Sequence, residues 1–277
     1  MPNWSLVCFT LSAQGAVGLV WVGALGRWFA GEERGDLPAW PMSLALALTA
    51  LGLSVALTHL ARPRLAPKAL GNLAASWLSR EILLVQVFAA LVLTIVITPA
   101  RASSALVVLE IAAGLLGAAA LLAMTRVYLL ETVPAWNSAA TPLEFAGSAA
   151  LLGGVLGAVL ATFASGGQSG WNLQLVVPGS STVLGLILKV AAISPGLAAE
   201  QAARVRTWYE PAAAHLPAGT VLAIRTGLGL AGLTMVLAAS RGTSPPWIWS
   251  CMALVCVVIA EVAGRQRFYN TYRRLGL

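Results

Sequence analysis

Charge is what this chain has least of. Of its 277 residues 10% are Asp, Glu, Lys or Arg and 58% are hydrophobic, with a mean hydropathy of +0.83. Globular chains carry about a quarter charged residues, so a water-soluble fold of this size could not hide so much apolar surface. A bilayer can take the place of a core. Cysteine is scarce too: Cys8, Cys251 and Cys256 are the three, and no pair has C-x-x-C spacing. An iron–sulfur cluster draws on about four thiolates, so the protein is expected to hold none of its own. The thiols read as small packing or lipid-facing residues in apolar segments. Histidine is limited to His59 and His215. A b-type haem with two histidine ligands would need both. His215, in PAAAHLPAG, reads more as a surface loop, which makes haem the lesser alternative. MPNWSLVCFT lacks a positive n-region and the first apolar stretch is too long for a signal-peptide core, so that stretch is expected to stay in the membrane.

The net charge of +7 sits in loops and the tail with little aromatic interleaving. Such a pattern marks topology and argues against nucleic acid as a partner. Apolar windows of about 20 residues fall near 6–29, 41–60, 81–99, 105–126, 143–163, 172–192, 219–238 and 247–263. The expected fold class is an all-α integral membrane protein: a bundle of eight transmembrane helices forming one anchor domain over 1–277. An even number of spans puts both termini on one side, side A. Pro178 and Gly179 fall inside the sixth window, where neighbouring helices can re-satisfy a broken backbone. Gly153-x-x-x-Gly157 fits close helix packing. All but four of the 17 basic residues (Arg27, Arg34, Arg101 and Arg241) fall on side A. The positive-inside rule makes side A cytoplasmic in a bacterial inner membrane, although a loop that docks an acidic partner would also be basic.

Ionisable residues inside the spans are more informative, since a charge at the bilayer centre costs at least about 2.5–3.5 kcal/mol. His59, Glu81, Arg126, Lys189, Arg225 and Glu261 all fall on the side-A half, and Glu110 alone lies towards the other side. Lys189 reads as snorkelling to the interface. Arg126 either pairs with a carbonyl or Glu131, or serves function. Arg225 and Glu261 suit a buried ion pair, and Glu110 suits a bundle-facing, locally satisfied position. His59 and Glu81 stand at facing helix ends in LTHLARPRLAPKALGNLAASWLSREI (57–82), beneath a loop bearing Arg62, Arg64, Lys68 and Arg80.

HLARP (59–63), SWLSREI (76–82), RVYLLETVPAWNSAATP (126–142) and EVAGRQRFY (261–269) together resemble the DmsC family, the membrane anchors of dimethyl-sulfoxide-reductase-type molybdoenzymes. The pieces run along nearly the whole sequence in the expected order, and the RVY…TVPxW…TP block is the most specific. The resemblance implies an integral subunit that anchors an iron–sulfur protein and a molybdopterin catalytic subunit. Such an anchor exchanges electrons and protons with a quinone, menaquinol among them. It also implies that His59 and Glu81 belong to the quinol site. Chemistry agrees: quinol oxidation needs groups that hydrogen-bond ring oxygens and take protons, and histidine titrates near neutrality. A carboxyl in a water-poor pocket can exchange protons in that range as well. Arg126, Arg225 and Glu261 are then candidates for a supporting polar shell, and Arg62, Arg64, Lys68 and Arg80 for partner docking. Quinone would be bound as substrate, with clusters and molybdopterin held by the partner subunits.

Three alternatives stand beside this reading. The anchor could serve a cytoplasm-facing, sulfite-oxidising molybdoenzyme and reduce quinone. The protein could be a transporter with a broken helix at Pro178, although transport sites usually lie near the midplane of a repeated fold. It could also be a purely structural anchor, with quinone handled elsewhere.

Overall fold

A computed structural model describes residues 4–29, 40–58, 68, 70–98, 104–164, 175–207, 218–241, 245–272 and 275. These residues form nine α-helices and no strand: α1 (Trp4–Phe29), α2 (Trp40–Thr58), α3 (Trp77–Ile97), α4 (Ser104–Tyr128), α5 (Ala140–Ala164), α6 (Val176–Ala191), α7 (Ile193–Thr207), α8 (Ala218–Ser240) and α9 (Pro246–Asn270). Eight stretches are long and apolar enough to cross a bilayer, with α6 and α7 together making one of them. Without water in the hydrocarbon, each backbone N–H and C=O must pair within its own segment, which a helix achieves. The chain is an all-α integral membrane protein. Its outer surface carries the side chains such a setting calls for: Leu115 is 69% exposed and Val108 64%.

The bundle is organised around α5 and α1, whose span windows are 72% and 61% buried while the others are 22–33%. Lipid tails are as apolar as leucine, so close backbone contact has to hold helices together. Glycine permits it. A Cβ on Gly18 would lie 1.8 Å from the carbonyl oxygen of Ala149, and one on Gly153 2.2 Å from the carbonyl carbon of Gly18. The next faces of α5 are used as tightly. Gly154 abuts Thr182 and Pro178 of α6, and Gly157 abuts Val22 of α1. The small-residue motif is thus the groove that α1 and α6 fill.

Pro178 does not break a helix midway. It is the third residue of α6, where a backbone N–H has no intrahelical acceptor and proline is tolerated. The interruption comes instead at Ala192, three residues before Pro195, whose ring lacks an N–H and crowds the carbonyl of Ala191. The bonds Ala192 N to Leu188 O and Gly196 N to Ala192 O, both 3.0 Å, bridge the backbone across the break.

Two helix ends reach further than hydropathy suggests. α9 continues to Asn270, and α5 begins at Ala140, so Glu144, Arg265 and Arg267 all lie within helices. The connection from α4 to α5 is a compact series of turns closed by Val133 N to Leu130 O and Trp136 N to Val133 O bonds. Trp136 stacks on Phe268 at 5.1 Å and donates its indole N–H to the Phe268 carbonyl at 2.8 Å. Thr141 Oγ1 donates to the Trp136 carbonyl at 2.6 Å, and Leu275 N to the Thr132 carbonyl at 2.8 Å. This aromatic plug ties the most specific sequence block to the end of α9.

Candidate functional site

Glu81 is the fifth residue of α3, whose start is set by Ser76: its hydroxyl accepts from Ser79 N at 3.2 Å. One turn in, the Glu81 side chain points into the bundle and the residue is 3% exposed. Among the described residues its carboxyl has no hydrogen-bond or ion-pair partner, an expensive state for an ionised group in a dry interior. It lies within electrostatic reach of two phenols, Tyr128 at the end of α4 and Tyr269 near the end of α9. Their hydroxyls are 3.0 Å apart, and Tyr269 Oη also donates to Thr10 Oγ1 of α1 at 3.4 Å. The rings belong to a packed cluster with Trp136, Phe145 and Phe268.

A second polar centre lies beyond Phe145. On α9, Glu261, Arg265 and Tyr269 are spaced four apart and share one buried face spanning about 12 Å. Arg265 lies over the Phe145 ring at 4.0 Å and donates to Gln14 Oε1 at 2.7 Å and Ser148 Oγ at 3.2 Å. Ser148 donates to Glu261 Oε2 at 2.5 Å. Lys189 Nζ reaches Glu144 and Glu261, each at 2.8 Å, and Ser148 at 2.7 Å. Arg225 Nη2 donates to Glu144 Oε2 at 2.6 Å, lying so flat on α9 that a Cβ on Gly264 would be 2.3 Å from its Nε. These groups border a cavity of about 100 Å³ between α5, α6, α7, α8 and α9, with the Arg267–Glu200 ion pair also on its wall. In a low-dielectric interior only such multiple pairing offsets the loss of hydration.

Two expectations change. Lys189 does not snorkel: its side chain is 11% exposed and held by two carboxylates. A lysine on a helix face that meets two other helices finds acceptors inside before it finds water. Nor do Arg225 and Glu261 form a direct ion pair among the described residues. Glu144 and Lys189 stand between them, because α5 and α6 intervene at that level. Glu144, Gln14, Ser148 and Arg265 were missed: Glu144 and Arg265 stand at the edges of apolar windows, and Gln14 and Ser148 are uncharged residues inside them. The i, i+4 spacing of Glu261, Arg265 and Tyr269 was the available signal. Glu110 does face the bundle, where its carboxyl meets Arg27 of α1 at 2.7 Å, both side chains buried.

His59, Arg62, Arg64 and His215 lie outside the described residues. Lys68 is exposed. Arg80 lies over the Trp77 ring at 4.3 Å and caps the carbonyls of Leu73 and Ala74 at 2.8 and 2.6 Å. Arg126 is exposed, 5.6 Å from the same ring, and makes no ion pair with Glu131 among the described residues. The structure therefore gathers Glu81 with two tyrosines and gathers Arg225 with Glu261 in a separate centre, with Arg265 in electrostatic range of both phenols. Cys8, Cys251 and Cys256 are free and half-buried.

The model of the DMSO reductase anchor subunit (DmsC) family matches residues 1–271. The protein is 27% identical over 292 residues to the C subunit of the anaerobic dimethyl sulfoxide reductase of Escherichia coli (strain K12), an alignment that covers 99% of this sequence and 96% of that one. It is 28% identical over 285 residues to the anaerobic dimethyl sulfoxide reductase subunit YnfH of the same organism, with the same coverage. With eight membrane-spanning stretches and the family's pattern matched from its first residue to its last helix, this chain belongs to the DmsC family of DMSO reductase anchor subunits.

Proposed function

We propose that this anchor subunit exchanges electrons and protons between the membrane quinone pool and an iron–sulfur partner, which passes electrons to or from a molybdopterin subunit. Glu81 and His59 flank a ring oxygen of the quinone. The observation that carries the reading is the Glu81 carboxyl, buried, without a partner among the described residues and within electrostatic reach of two phenols. An ionisable group in a membrane helix is retained where a ligand or proton requires it. A lipid-soluble ligand is the kind that reaches such a position from the hydrocarbon. On this reading Glu81 accepts a proton from the reduced ring and His59 hydrogen-bonds the ring oxygen and moves a proton on. Arg225, Glu261 and Arg126 act from a distance, the first two through the network around Arg265. Arg62, Arg64, Lys68 and Arg80 form the surface to which the iron–sulfur subunit docks, in a bacterial inner membrane. The bias of basic residues to one end supports a second reading, in which the catalytic arm is cytoplasmic and the anchor reduces quinone.

The test uses the purified complex with His59→Ala and Glu81→Gln. Turnover with quinol is compared with turnover driven by a small soluble donor that feeds the catalytic arm directly. Loss of the quinol-driven rate in His59→Ala, with subunit composition and the soluble-donor rate retained, is the expected outcome. Glu81→Gln should shift or flatten the pH dependence of quinol turnover. Normal quinol rates in His59→Ala would overturn the proposal.

A further inference from the structure

Arg265 carries a charge that no carboxylate pairs with among the described residues. It is 4% exposed, lies over the rings of Phe145 and Phe268, and donates through Nη2 only to the neutral acceptors Gln14 and Ser148. Ring faces offset a small part of a buried charge, and an uncompensated one is costly. Its neighbours do not supply the missing anion. Lys189 uses its three N–H groups on Glu144, Glu261 and Ser148, and Arg225 binds Glu144 through Nη2. Lys189, Arg225 and Arg265 thus face Glu144 and Glu261 with one positive charge in excess, while Arg267 and Glu200 cancel. Donors are in surplus as well: Nε and Nη1 of Arg225 and of Arg265 have no acceptor among the described residues. All these side chains except Ser148 and Gln14 border the same cavity of about 100 Å³. Since about 10–15 Å³ admits one water, a tetrahedral anion has room there.

We propose that this cavity binds the phosphodiester of an anionic phospholipid, with Arg265 and Arg225 as the groups that hold it. Position favours a lipid. Ala140 and Ala218, the first residues of α5 and α8, are on the cavity wall, as is Thr271 just past the end of α9. Arg225 and Arg265 lie within about two turns of those ends, where long basic side chains reach a head group more readily than the bilayer centre. Basic pockets between membrane helices bind phospholipid head groups for this reason. Ile193, Val221 and Leu222 make part of the wall apolar, which suits the glycerol and acyl portion. Charge favours one negative unit. A phosphodiester cancels the single excess and offers oxygens to planar guanidinium groups. A zwitterionic lipid brings a cation of its own into a site already short of anions. The inference does not depend on where quinone binds.

The experiment titrates lipid into the purified, delipidated complex and counts bound molecules by native mass spectrometry. The probes are phosphatidylglycerol, phosphatidylcholine and diacylglycerol, with inorganic phosphate as competitor. Wild type should bind one phosphatidylglycerol more tightly than either other lipid. Arg265→Gln keeps a donor for Gln14 and Ser148 but removes the surplus charge. It should weaken that one molecule by about tenfold or more, the loss of a charge-assisted contact. Leu222→Trp leaves every charge in place and crowds the cavity, so it should weaken the same lipid even if Arg265→Gln fails to assemble. A lipid drawn only to the exposed basic surface would bind wild type and both variants alike, and that result overturns the inference. Equal binding of diacylglycerol or phosphatidylcholine by wild type overturns it too, as would an anion supplied by the protein itself. If millimolar phosphate displaces the bound phosphatidylglycerol from wild type, the site belongs to a free anion and the lipid assignment fails.

Discussion

Removing the Glu144 carboxylate should destabilise the bundle more than removing the arginine it binds. Glu144 holds Arg225 at 2.6 Å and Lys189 at 2.8 Å through the same oxygen. In Glu144→Ala, Lys189 keeps Glu261 and Ser148, but Arg225 has no carboxylate left among the described residues and cannot withdraw easily, since its guanidinium packs on Gly264. Breaking a buried pair by deleting one partner costs about 3–5 kcal/mol. Here the side chains are 22% and 17% exposed. Water reaches both, so the lower end applies and about 2–3 kcal/mol is expected. Arg225→Met leaves Glu144 bound to Lys189 and should cost only about 1–2 kcal/mol. The double variant should cost less than the two singles together, with a coupling of about 1–2 kcal/mol. The assay is a double-mutant cycle on unfolding in mixed micelles, with each variant first checked for assembly. Additivity within about 0.5 kcal/mol would refute the pairing.

The remaining predictions concern the frame of the bundle. Gly18→Leu should prevent assembly or cost more than about 2 kcal/mol, because even a Cβ at Gly18 meets the Ala149 carbonyl oxygen at 1.8 Å. Gly227→Ala, which meets nothing within 4 Å, is its control, and equal behaviour of the two in the yield of assembled complex would contradict the packing. Glu110→Gln should lower unfolding stability by about 3 kcal/mol through the orphaned Arg27, while leaving the pH profile of quinol turnover in place. A moved profile would tie that distant pair to the site.

How much of the site was legible depends on the residue. Glu81 could be singled out as an acid near the start of an apolar helix, yet its lack of a partner among the described residues and the two phenols within its electrostatic reach could not. Tyr128 and Tyr269 are 141 positions apart, and nothing local to either marks them as a pair. The clustering of charge at one end was visible, because hydropathy locates each span and each charge within it. Pairing was not, since the order of helices around α5 is absent from any single window. Arg265 was hidden for a related reason. A helix whose polar face is buried by protein needs no apolar residues there, so the last apolar window stopped short of it.

What the sequence by itself determined is the number of crossings and the end of the bundle at which most of the ionisable residues within the spans gather. The bilayer enforces both residue by residue: about 20 apolar residues cross it, and a charge within them is penalised wherever it stands. What only the tertiary structure decided is which groups meet: Glu144 with Lys189 and Arg225, Tyr128 with Tyr269 and Thr10, Gly18 with Ala149. Those contacts join helices far apart in the sequence, and their partners follow from the packing of small residues along α1 and α5.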